Sequence, residues 1–410
     1  MSFIPLAQIN ISLVLASGSL PVGKLALRDK IIYFEYSPDF LQSGLNISPL
    51  HLPLKPGLRI FEQGLFDGLP GVFNDSLPDG WGRLLLDRHL RKQGILGRQL
   101  SPLDRLAYVG SLGMGALVYT PDHSITYTSS EINLDTLATQ VQEVLVGEAK
   151  DVLQELLFLN GSSAGARPKA VIGLSHDSFK IIHGAQALPE SYSHWLVKFA
   201  TAEDGADAGA IEYVYALMAQ DAGITMTKTH LFAGEKTAGY FATRRFDRDG
   251  AQRKHTHTAC GLLHSDFRLP SLDYEDLLSL TSILTRDIRE VERMFRLAVF
   301  NVLAHNRDDH GKNFSFLMDE AGEWKLAPAY DLTFSAGPGG EQSTTVLGEG
   351  RNPNREHLLK LGLDAKLGRE DIADIFAQTS QALSRWPKLA GVHGVSRANI
   401  RLISTRLSIL

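Results

Sequence analysis

At 410 residues the chain is longer than one hydrophobic core usually supports, so two lobes or domains are expected. Hydrophobic residues make up 44% and charged residues 21%, which supplies an ordinary core, and a net charge of −5 argues against a protein that coats nucleic acid unaided. The single Cys260 excludes an intramolecular disulfide and a cysteine-cluster metal site; with no secretory start and no membrane-length apolar run, a cytoplasmic protein with no membrane partner is expected.

In chain order, residues 12–15 and 30–36 read as strands from their β-branched and aromatic content. Residues 74–80 form a turn cluster that opens a helix through 81–96. The glycine-rich stretch 110–115 superficially suggests a nucleotide loop. It lacks the Lys-Ser/Thr of a P-loop and reads instead as a tightly packed strand. A polar connector is expected over 122–131, followed by helix over 134–159 and a break of small residues at 160–166. Apolar runs at 170–174, 193–199 and 239–243 predict strands, with a helix at 211–222 between the last two. From Tyr274 onward amphipathic helices dominate. In the span 287–305, Ile288, Val291, Phe295, Ala298 and Val302 form one apolar stripe. Strands followed by a helical half predict an α+β, bilobal chain.

The chemistry concentrates in the loop that ends this stripe. Asp308 and Asn313 stand at the Asp-x-x-x-x-Asn spacing of a protein-kinase catalytic loop, and Asp331 follows at the distance of the second metal carboxylate. Phosphoryl transfer needs positioning and charge neutralisation more than covalent help. Three further parts fit that need. They are a small-residue loop at 162–169 (Ser-Ser-Ala-Gly-Ala-Arg-Pro-Lys), a strand lysine, Lys198, and a helix acid to orient it, Glu212. Each part alone has a structural explanation, such as a turn, a solvated lysine or a helix-start acid. Their order along the chain is what points to a kinase. His255, His257 and His264 beside Cys260 fit no standard zinc spacing and read as structural. Basic residues such as Arg397, Arg401 and Arg406 read as a solvated helix face rather than a DNA contact.

These residues resemble the HipA-like serine/threonine kinases, the toxins of bacterial toxin–antitoxin modules. The resemblance is carried by 73–81 (Phe-Asn-Asp-Ser-Leu-Pro-Asp-Gly-Trp), 106–110, 162–169, Arg-Phe-Asp-Arg at 245–248, Asp-Asp-His-Gly-Lys-Asn-Phe-Ser at 308–315 and Ala-Tyr-Asp at 329–331. It implies a kinase-like fold with a β-rich N-terminal subdomain (1–125), an ATP-binding part (126–250) and a mainly helical C-lobe (251–410). It further implies Asp308 as catalytic base acting with Lys198, and Asn313 and Asp331 as Mg²⁺ ligands. ATP contacts are implied from Ala164, Gly165, Ala166, Arg167, Lys169, Lys198, Arg244, Phe246, His310, Lys312, Asn313, Tyr330 and Asp331. Ser162 or the adjacent Ser163 would be autophosphorylated, and the added charge would compete with the phosphates of ATP for the loop. The implied partners are a small helix-turn-helix antitoxin, HipB-like, through which DNA is mainly met, and a protein substrate such as an aminoacyl-tRNA synthetase. Arg244 departs from the family's acidic hinge residue, and Arg167-Pro168 replaces a Gln-Glu pair. The rival readings are a small-molecule or lipid-type kinase and a non-toxic co-repressor pseudokinase.

Overall fold

A computed structural model of the chain describes residues 3–125, 132–147, 153–160, 165, 167–184, 187–269 and 271–407. The N-terminal domain is an antiparallel five-stranded sheet. Its strands run, in spatial order, Arg59–Ile60, Ile31–Tyr36, Gly18–Arg28, Gln8–Leu15 and Leu117–Thr120. Alternation decides which face is inside: Ile9, Ile11, Leu13 and Leu15 of one strand are all buried while most of their neighbours face outward. The helix Pro102–Val109 packs on this sheet and begins with a capping box, Ser101 accepting from the Asp104 amide at 3.1 Å and Asp104 from the Ser101 amide at 2.8 Å.

The second lobe is another antiparallel five-stranded sheet, ordered Ile181–His183, Lys169–Ser175, Tyr192–Lys198, Tyr240–Arg244 and Thr229–Phe232. Its second strand, Lys169–Ser175, flanked by strands on both sides, is buried over six consecutive residues. The helix Ala208–Asp221 packs near the Tyr240–Arg244 side, and Leu153–Asn160 packs on Lys169–Ser175. Trp81 and Leu85, from the helix Gly80–Lys92, join the same apolar cluster as Ile172, Val197 and Ala242. The N-terminal part is therefore stitched into the second lobe.

The third part is helical, built around Ile288–Leu303, which buries Val291, Phe295, Ala298 and Val302 from the stripe and also Met294, Leu297, Val299, Phe300 and Leu303. Ile288, at the head of the stripe, is 55% exposed. A three-stranded sheet of His255–Thr258, Ser315–Met318 and Trp324–Leu326 lies against this helix bundle. The architecture is thus the α+β, bilobal kinase-like fold expected from the sequence. No helix among the described residues is long and apolar enough to cross a membrane.

Three local expectations are corrected. The helix expected over 81–96 stops at Lys92, because Gly94 turns left-handed (φ +81°) and lets the Ile95 amide bond back to the Leu90 carbonyl at 2.9 Å. The single helix expected over 134–159 is two, Leu134–Val146 ending at left-handed Gly147 and Leu153–Asn160. The stretch 110–115 is not a strand but a chain of turns and bends before Leu117–Thr120. It is held from outside. Asp247, wholly buried, accepts from the Gly115 amide at 2.7 Å and from Arg245 and Arg248, and Arg248 in turn donates to the Gly113 and Gly115 carbonyls at 2.7 and 2.8 Å.

The histidines near Cys260 sit at the seam between the N-terminal domain and the C-lobe. His257 donates from Nδ1 to Asp75 at 2.6 Å, and its Nε2 meets Ser48 at 3.0 Å. The Thr258 amide and hydroxyl both donate to Asp75 at 2.8 Å. Gly71 and Gly261 permit the contact, since a Cβ on Gly71 would lie 2.1 Å from the Gly261 carbonyl oxygen.

Candidate active site

Between the lobes lies a cleft of about 920 Å³. At its floor is Lys198, the last residue of its strand. Its ammonium is 2.5 Å from Glu212 Oε1 and 2.5 Å from Asp331 Oδ1. Glu212 comes from the helix Ala208–Asp221 and Asp331 from the loop after Trp324–Leu326, so three distant segments converge on one charge. Burial opposes the lysine's charge, but Asp331 and Glu212 outweigh it and raise its pKa above the ordinary range. Burial likewise opposes ionisation of Asp331. Lys198 and Lys169 overcome it and hold that carboxyl well below the usual carboxylate range. Burial raises the pKa of Glu212.

Asp331 adopts a left-handed backbone (φ +58°), a conformation that few non-glycine residues occupy and that a surrounding structure has to enforce. Its neighbour is held from three sides. Tyr330 donates to the Lys312 carbonyl at 2.5 Å, meets the Ser315 hydroxyl at 2.6 Å and packs on Phe246 with ring centroids 5.6 Å apart.

The doubled aspartate divides into two roles. The Asp308 side chain is 61% exposed in the cleft, 4.0 Å from His310 Nε2, whereas Asp309 is wholly buried. Partial desolvation raises the pKa of Asp308; His310 opposes the shift and Asp331 adds to it. Asn313 donates from Nδ2 to the Asp308 carbonyl at 2.6 Å, which closes the loop and leaves its Oδ1 as the available donor oxygen.

On the neighbouring strand, Lys169 is the cross-strand partner of Lys198. Burial, aided by the like charge of Lys198 and opposed by Asp331, brings its pKa down to about 8. Gly165 lies over it with φ +114°, a backbone conformation that favours glycine, and a Cβ there would sit 2.3 Å from the Lys169 ammonium and push it aside. Arg167 pairs with Asp204 at 3.1 Å, and Arg244 reaches Asp249 at 3.5 Å. Gly165, Arg167, Lys169, Lys198, Arg244, Phe246, Asp308, His310, Lys312, Asn313, Tyr330 and Asp331 all line the one cleft. Ser162, Ser163, Ala164 and Ala166 lie outside the described residues.

One cleft residue was missed by the reading of chemical roles. Asp79, from the N-terminal domain, binds Lys312 Nζ at 2.5 Å and accepts from the Gly165 amide. Burial would raise its pKa, but Lys312 prevails and lowers it. Its only signal in the sequence was its place in the 73–81 motif.

A family model described as the HipA-like C-terminal domain matches residues 161–386, and one described as the HipA N-terminal domain matches residues 13–120. This chain belongs to the HipA-like kinases. It is 22% identical over 362 residues to the serine/threonine-protein kinase toxin HipA of Shewanella oneidensis, covering 79% of this chain and 75% of that protein. A shorter match, 43% identical over 53 residues, is to Y4mE of Sinorhizobium fredii, a protein named as a kinase, and spans 13% of this chain and 12% of that one. In fold, this HipA-like chain is similar to the S. oneidensis MR-1 toxin HipA, solved with HipB and operator DNA. The TM-score is 0.68 at 17% identity, over 97% of this chain and 95% of that one.

Proposed function

We propose that the chain is an ATP-dependent protein serine/threonine kinase and the toxin of a toxin–antitoxin module. The observation that carries the kinase reading is Lys198 held at 2.5 Å by both Glu212 and Asp331. A strand lysine oriented by a helix acid beside the metal-binding aspartate is what phosphoryl transfer requires of a protein. In this reading Asp308 accepts the proton of the attacking hydroxyl, its exposed carboxylate being open to an acceptor entering the cleft. Lys198 and Lys169 neutralise and orient the phosphates of ATP. Phe246 and Arg244 lie along the same cleft and contribute to the nucleotide pocket.

The donor set fits magnesium. Asn313 and Asp331 offer hard oxygens, and Mg²⁺ characteristically takes one or two protein ligands with phosphates and waters completing its shell. When bound there, the ion supplies charge neutralisation for the transferred group. Autophosphorylation at Ser162 or Ser163 would silence the enzyme by placing negative charge where the phosphates of ATP belong. A HipB-like antitoxin as partner, with DNA met mainly through it, is supported by the fold likeness to the chain solved in that complex. Growth inhibition would follow from phosphorylation of a translation-related protein such as an aminoacyl-tRNA synthetase.

The test is ATP-dependent phosphate transfer by the purified chain beside Asp308→Ala and Asp331→Ala. Both variants should lose nearly all turnover, and equal rates in all three would sink the kinase reading. Expression of wild type and Asp308→Ala in growing cells tests the toxin role separately, since equal growth would remove it. Mass spectrometry of the incubated protein would identify which serine is modified.

A further inference from the structure

The buried half of the doubled aspartate has no role in the chemistry proposed above, yet it is the most heavily bonded side chain of the loop. Asp309 Oδ2 accepts from the Tyr274 hydroxyl at 2.6 Å and from Gln342 Nε2 at 3.0 Å. Its Oδ1 accepts from the Ser343 and Thr344 amides at 2.9 and 3.2 Å, and its carbonyl from the Thr344 hydroxyl. The neighbours continue the pattern. Arg307 donates to the carbonyls of Arg351, at 2.9 Å, and Gly340, while its own carbonyl accepts from the Ser343 hydroxyl at 2.9 Å. The Ser335 amide bonds the His305 carbonyl at 3.1 Å. The loop 305–309 is therefore tied to the segment 335–351 at nearly every residue except the Asp308 side chain, which is left to the cleft.

We infer that Asp309 is a positioning residue: it locks the segment 342–344 against the catalytic loop and thereby fixes where Asp308 stands. The inference rests on the kinase reading of Asp308 only for its kinetic consequence. Four donors on one buried carboxylate, two of them backbone amides of the partner segment, define a single register between the two stretches. Arg307 adds a second fastening through neutral carbonyls. The segment is thus held by side chains and backbone groups of the chain itself. Displacement of a base by about 1 Å is enough to lower turnover about 100-fold without touching the nucleotide contacts.

Asp309→Asn places an amide NH₂ opposite either the two backbone amides, a donor–donor clash, or Gln342 Nε2, which can escape the clash only by flipping and giving up its bond to the Asn306 carbonyl. We expect turnover to fall about 10- to 100-fold while the dissociation constant for ATP stays within about twofold. Tyr274→Phe, which removes one donor and keeps the ring, should show the same split at smaller size. Asp309→Asn combined with Gln342→Glu exchanges amide and carboxylate and should recover part of the turnover. Hydrogen exchange supplies an arm independent of activity, in which the amides of 342–344 and 305–309 should speed up together while the strand Ser315–Met318 stays protected. Unchanged exchange at 342–344 in Asp309→Asn would overturn the inference even if the wild-type chain transferred no phosphate. So would wild-type turnover in that variant, or a loss of ATP binding in step with turnover. Equal turnover in wild type and Asp308→Ala would instead bear on the kinase reading.

Discussion

Lys169 and Lys198 stand directly opposite each other on neighbouring antiparallel strands, and the charges of both bear on Asp331. Like charges at such a position repel, and the protein resolves the conflict unequally. Lys198 takes the two carboxylates at 2.5 Å and keeps its proton, while buried Lys169 is left with a pKa brought down to about 8.

The first prediction follows from that inequality. Below about pH 8 Lys169 is mostly protonated and can meet a phosphate; above it, the free protein holds a neutral amine. Phosphate binding favours the charged form, so nucleotide binding takes up a proton and weakens as pH rises. Dissociation constants at about pH 7 and about pH 9.5 should differ roughly tenfold. Lys169→Arg, which stays charged, should flatten the profile.

Glu212→Gln removes one of the two carboxylates on Lys198 while keeping shape and an acceptor oxygen. Asp331 remains 2.5 Å away, so the buried ammonium is still compensated and the stability loss should be about 1 kcal/mol in a denaturant titration. Turnover should fall more steeply, by about 10-fold or more, because the lysine then leans on Asp331 and competes for the oxygen proposed to serve the metal.

Gly71→Ala tests the seam. Its methyl would lie 2.1 Å from the Gly261 carbonyl oxygen, a contact that only backbone movement relieves. A loss of about 1–3 kcal/mol is expected in thermal or denaturant unfolding. Gly64→Ala, where nothing lies within 4 Å of the new methyl, is the matched control and should change little.

Asp247→Ala should be the most damaging of these substitutions. It strips a wholly buried carboxylate from Arg245 and Arg248, which are themselves buried. Leaving such charges without their partner costs about 3–5 kcal/mol. Differential scanning calorimetry should show a large fall in melting temperature, and proteolysis should reach the 110–115 stretch that Asp247 and Arg248 hold.

The parts of the chain legible in sequence are those whose physics is local. β-Branched and aromatic content revealed the second half of Gln8–Leu15, and the three-to-four spacing revealed Ile288–Leu303 up to its first turn, where Ile288 is exposed. The five-residue step from Asp308 to Asn313 separated the exposed aspartate from its buried neighbour, and the helix expected at 211–222 marked Glu212, although that helix begins earlier, at Ala208. Long-range pairing left no such trace. Asp79 meets Lys312 across 233 positions, and nothing near either residue announces the other. The same holds for Gly71 against Gly261, whose shared requirement for a missing Cβ exists only once the short helices Gly71–Asn74 and Ala259–Leu263 touch. The stretch 110–115 was misread for a related reason: its turns are stabilised by arginines that lie far along the chain.

That distant clamp has a bearing on synthesis. A chain leaving the ribosome presents its N-terminal sheet first and can begin to fold it. The Gly115 amide nevertheless waits for Asp247, 132 positions later, and Asp79 waits longer still for Lys312. A nascent or prematurely terminated product therefore holds an unfinished pocket, whatever the state of its first domain. Translation has to run past Asp331 before the cleft can exist at all.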